Sequence, residues 1–68
     1  MDARIICIEI LKILSDRHPG EVPTWLLYRD IGASKRSIQR QIKFLFEHGF
    51  VERKPCYKLK LVELKNNA

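Results

Sequence analysis

At Gly49 the rhythm of the chain changes. Before it, from Ser34 to His48, apolar side chains recur at Ile38, Ile42, Leu45 and Phe46, the spacing of one helix face. After it, in "FVER" and "YKLKLVEL", apolar and polar residues alternate. That alternation puts Tyr57, Leu59 and Leu61 on one side of an extended strand and Lys58 and Lys60 on the other. A helix cannot run through a period of two, so one element must end and another begin close to Gly49. Glycine suits the stop because it adopts positive φ without a side-chain penalty. The pattern commits this stretch to a helix at about 34–48, capped by Ser34. A β-hairpin at about 50–63 follows, with "KPC" as its turn and Pro55 at a turn position.

The earlier residues read as two more helices. From about Asp2 to Asp16, Ile6, Cys7, Ile10, Leu11, Ile13 and Leu14 share a face, while Glu9, Lys12 and Asp16 lie opposite. Asp2 is the expected N-cap and "HPG" the stop. Ile5 and Ile8 fall on the charged side, one turn apart. They are either covered by Val62 and Leu64 of the C-terminal segment or left for a second copy of the chain. Val22 has room for a very short strand. A second helix, about 24–30, opens at Thr24 near its N-cap and buries Leu27 and Ile31, with Leu26 flanking. Gly32 is expected to end it at positive φ. "KNNA" reads as a frayed tail.

Charge is concentrated where the period changes. Residues 34–60 hold eight Lys/Arg against two acids, net +6, whereas residues 1–33 hold four against five, net −1. The whole excess of the +5 chain therefore sits on the third helix and the hairpin, which favours an anionic partner. With 68 residues, one domain is the expected count. Two cysteines are too few for a disulfide framework and fit a reducing, cytoplasmic setting. His18 and His48 have no ligand-like spacing, so neither metal nor other cofactor is expected. The apolar run "IICIEILKIL" is broken by Glu9 and Lys12, which argues against a signal peptide or membrane span.

The order helix, short strand, helix, turn, helix, hairpin resembles the winged helix-turn-helix transcription regulators. Gly32, Ser34, Arg36, Ser37, Ile38, Arg40, Ile42, Leu45, Gly49, Phe50, Val51 and Arg53 match their pattern in order and spacing over about residues 5–62. The second helix is shorter than in many relatives and opens with Pro-Thr-Trp, and the wing is short. That likeness is nearest to small stand-alone regulators without an effector domain. It implies an α+β, mainly α, fold of three helices and a C-terminal wing. It also implies double-stranded DNA as the partner, with the third helix in the major groove and the wing on the backbone.

On that reading the site residues are Ser34, Lys35, Arg36, Ser37, Gln39, Arg40, Lys43, Lys54 and Lys58. Arg36, Arg40 and Lys43 cluster opposite the apolar stripe, with Ser37, Gln39 and Gln41 beside them. Lys35, Arg36, Ser37, Gln39 and Arg40, in the first two turns, are placed to reach base edges. Arginine can pair bidentately with guanine and glutamine with adenine. For Arg36 and Arg40, phosphate contact is as good a reading as base contact. Lys43 lies further along, toward phosphate, and amides near Ser34 suit a phosphate too. Lys54 at the hairpin tip and Lys58 are further phosphate candidates.

Blander roles stand beside each of these. A basic strip is often only a solvated helix face, and strand lysines often only protect a sheet edge. Trp25 and Tyr28 are either partial core or, for Tyr28 and the Thr24 hydroxyl, phosphate contacts. Phe44 lies off the stripe and either packs under the wing or serves an interface. Ile5 and Ile8 suit a symmetric homodimer on two half-sites. No enzyme is expected: paired carboxylates, a Gly-rich phosphate loop and a nucleophile–base pair are all missing. Nor is a small-molecule ligand expected. A winged-helix protein–protein module is the serious rival. RNA is a weaker one, for want of an aromatic stacking surface.

Overall fold

A computed structural model describes residues 2–62. In chain order the elements are α1 (Ala3–Arg17), β1 (Val22–Pro23), α2 (Thr24–Asp30), α3 (Lys35–Glu47), β2 (Val51–Lys54) and β3 (Lys58–Leu61). The three strands form one antiparallel sheet in the order β1-β3-β2. Three helices against a small sheet give an α+β, mainly helical fold with a winged-helix layout.

Local chemistry sets the boundaries. Asp2 caps α1, its carboxylate accepting from the Arg4 N–H at 3.0 Å, which satisfies one of the orphan amides of the first turn. The helix runs one residue past Asp16. Beyond it the Gly20 N–H reaches back to the Arg17 carbonyl at 2.6 Å. A Cβ on Gly20 would lie 2.8 Å from that oxygen, so only glycine fits. At the end of α3, Gly49 sits at φ 78. Its N–H bonds to Phe46 O, and that of Phe50 to Leu45 O, at 3.1 and 2.9 Å. Those two bonds make a Schellman stop, which needs a residue at ease in the left-handed region.

The core joins every element. Ile6, Ile10 and Leu14 of α1, Leu26 and Leu27 of α2, and Ile38, Ile42 and Leu45 of α3 are buried with Val22, Ile31, Val51 and Leu59. Burying each such side chain contributes about 1.5–3 kcal/mol. Cys7, Leu11 and Ile13 pack partly against the cluster, as their place on the α1 face requires.

Several local expectations are corrected. Thr24 does open α2, directly after its N-cap Pro23, but no side chain caps the helix; the Thr24 N–H goes to the Tyr57 carbonyl at 2.9 Å. Gly32 is not at positive φ. The α2 helix instead ends by Ile31 turning to extended backbone, drawn inward by burial of its side chain. Phe46 shares the α3 stripe by count but is 45% exposed, because the hairpin rather than the core reaches that flank. The hairpin turn is Pro55-Cys56-Tyr57, so Tyr57 belongs to the turn and is 85% exposed. Leu59 and Leu61 do face inward. Residues 63–68, with Leu64 and the "KNNA" tail, lie outside the described residues.

Candidate nucleic-acid interface

The α3 helix offers three surfaces. Ile38, Ile42 and Leu45 hold one side in the core. At 100° per residue, Arg36, Arg40 and Lys43 stand on the opposite side, and all three are exposed. Glu47 shares that strip at its C-terminal end, so the first three turns are cationic and the last is not.

The two flanks are engaged differently. Toward α1, the Cys7 thiol donates to Gln41 Oε1 at 3.1 Å. Gln41 is thus tied to a helix neighbour and does not flank the cation cluster freely. Burial pushes the Cys7 thiol pKa up. Toward the hairpin, the Lys35 ammonium lies 5.2 Å from the Tyr28 ring and the Arg53 guanidinium 4.8 Å from the Phe46 ring, cation–π contacts that join α3 to α2 and to β2. Phe46, rather than Phe44, therefore meets the wing. The Phe44 ring lies 4.1 Å from that of His48 and is half exposed.

At the N-terminus of α3, Ser34 Oγ accepts the Ser37 N–H at 3.2 Å and donates to Ser37 Oγ at 2.8 Å. Both hydroxyls serve the cap first, which fixes the end of the helix that carries Lys35 and Arg36. Ser37 is half buried, whereas Lys35, Arg36, Gln39 and Arg40 are exposed.

Strand register sorts the hairpin charges. Arg53 faces Leu59 on the inner side and stacks on Phe46. Glu52 opposes Lys60, and Lys54 opposes Lys58, on the outer side. Like charges directly across a strand pair are destabilising. One acid relieves them in part, since Glu52 Oε2 lies 3.2 Å from Lys54 Nζ. Lys54 is the last residue of β2 and not the tip itself. Lys58 is exposed and has no ion pair among the described residues.

Between α2, α3 and the hairpin runs an open groove of about 710 Å³. Thr24, Tyr28 and Gln39 line it from the helices and Arg53, Lys54, Tyr57 and Lys58 from the hairpin, over the buried Ile42 and Leu59. Gln39, Lys54 and Lys58 therefore share this groove, while Arg36, Arg40 and Lys43 occupy the outward strip. Sequence periodicity missed Tyr57, which it assigned to the core face, and the Lys35–Tyr28 and Arg53–Phe46 stacks. The signal for Tyr57 was its place directly after Pro55-Cys56, where a turn rather than a strand forms.

Among the described residues no cluster of His, Cys, Asp or Glu could hold a metal ion, and no helix is long and apolar enough to cross a membrane. Both cysteines are free thiols. No family model, curated protein or solved structure matches the chain.

Proposed function

We propose that this protein is a double-stranded DNA-binding transcription regulator of the winged-helix type. The α3 helix lies in the major groove and the hairpin on the adjacent backbone. An α-helix with its side chains is about 10–12 Å across, and the major groove about 12 Å wide. Arg36 and Arg40 on the outward strip, with Lys35 and Gln39 beside them, face base edges. Lys43, Lys54 and Lys58 face phosphates. It works by binding rather than catalysis, in the reducing cytoplasm. The exposed Ile5 and Ile8 (47% and 60%) serve pairing of two copies on two half-sites.

The observation that carries this reading is charge without compensation. Of the eight Lys and Arg between 34 and 60, Lys54 alone makes an ion pair among the described residues, and it faces Lys58 across the strands. Such crowding works against the fold and is relieved by a polyanion.

Binding to mixed-sequence duplex DNA across a salt series tests it, with wild type beside an Arg36→Ala/Arg40→Ala variant. Each neutralised phosphate contributes about −0.9 to the log–log slope. Wild type should show a steep slope, and the variant should keep its melting temperature and lose affinity. Absence of binding at low salt would favour a protein–protein module seeking an acidic surface. Full affinity in the folded variant would mean that α3 does not read the groove.

A further inference from the structure

We infer that Tyr57 is a DNA-contact residue, its ring lying against the sugar–phosphate edge beside Lys58. This inference rests on the DNA-binding reading and adds to it a residue chosen for shape rather than charge.

Four observations converge on Tyr57. At 85% exposure it is the most exposed large side chain with apolar surface among the described residues. Trp25, Phe44 and Phe46 are exposed too, but each has a partner against its ring: Arg29, His48 and Arg53; Phe50, without such a partner, is less exposed at 52% and lies at the Gly49 stop, away from the groove lining. Tyr57 has none among the described residues. Second, the turn that presents it is unfavourable. Cys56 and Tyr57 lie at φ 64 and 58, where a Cβ crowds the backbone and hairpins ordinarily place Gly, Asn or Asp. Third, the turn is held. The Tyr57 carbonyl accepts the Thr24 N–H at 2.9 Å, so the ring projects from backbone pinned to the start of α2. Fourth, continued strand alternation would have put this side chain on the core face with Leu59. The turn removes it from there, although burial would have stabilised the fold.

Unfavourable backbone that is over-determined by its surroundings often marks a binding site. The neighbours indicate what binds. Lys54 and Lys58 flank the turn and line the same groove as Tyr57. An apolar protein surface would leave the Lys58 ammonium, which has no ion pair among the described residues, without a partner. A nucleic-acid strand offers phosphates to both lysines and, between phosphates, the apolar face of a deoxyribose to a tyrosine ring. The phenol hydroxyl is free to donate to a phosphate oxygen.

Tyr57→Asn and Tyr57→Gly test the assignment, because both residues accept left-handed backbone. Melting temperature should hold or rise in both. Duplex affinity should fall about three- to tenfold, the size of one lost contact. The salt slope should stay at the wild-type value, since no charge is removed. Wild-type affinity in either folded variant would overturn the role of Tyr57 while leaving DNA binding intact. Loss of affinity accompanied by a lower melting temperature in both variants would make Tyr57 structural and overturn it as well. A wild-type protein that binds no duplex would overturn the DNA-binding reading and this inference with it.

Discussion

Lys58→Ala should move stability and DNA affinity in opposite directions. Lys58 is paired in register with Lys54 on the outer side of the hairpin. Like charges so placed cost about 0.2–1 kcal/mol. The low end applies, because Glu52 already holds Lys54 at 3.2 Å. Removing Lys58 should therefore stabilise by a few tenths of a kcal/mol, about 1–3 °C in Tm for a domain this small. On DNA the same change removes one phosphate contact and about 0.9 from the salt slope. A fourfold rise in salt, from about 50 to about 200 mM, then weakens wild type about 3.5-fold more than the variant. Thermal melting and fluorescence anisotropy of a labelled duplex measure the two effects. Lys54→Ala is the less clean probe, since it also strips Glu52 of its partner. An unchanged slope in folded Lys58→Ala protein would refute placement of the hairpin on the backbone. A drop of several degrees in Tm would refute the claim that the Lys54–Lys58 pair strains the fold.

Three further outcomes follow from the geometry. Gly49→Ala should destabilise by about 1 kcal/mol and lower Tm by about 4–8 °C; a Cβ there meets nothing within 4 Å, so the whole cost is conformational and calorimetry should show no larger loss. Ile10→Ala empties a fully buried position and should cost about 2–5 kcal/mol, enough to unfold much of a small domain at room temperature by circular dichroism. Iodoacetamide should label Cys56 well before Cys7 by mass spectrometry. Cys56 is exposed, whereas burial raises the Cys7 pKa and its thiol is engaged with Gln41, which leaves less reactive thiolate.

What the sequence determined by itself was the succession of elements and the inward face of each. The caps at Asp2 and Ser34, the stop at Gly49, the buried Ile6, Ile10 and Leu14, and the inward Leu59 and Leu61 all follow from neighbours within four residues along the chain. Those interactions exist before any tertiary contact forms. The cationic strip of Arg36, Arg40 and Lys43 was legible for the same reason, as the far side of a helix whose near side is apolar. Only the tertiary structure decided which flank of α3 meets which neighbour. It left Phe46 under Arg53 instead of in the core, and gave Gln41 to Cys7 and Lys35 to Tyr28. It also turned Tyr57 out of the strand pattern, because β3 must start at Lys58 to keep register with β2 while the turn carbonyl reaches Thr24. Crossing geometry and strand register join residues on different elements, and no periodicity within one element encodes them.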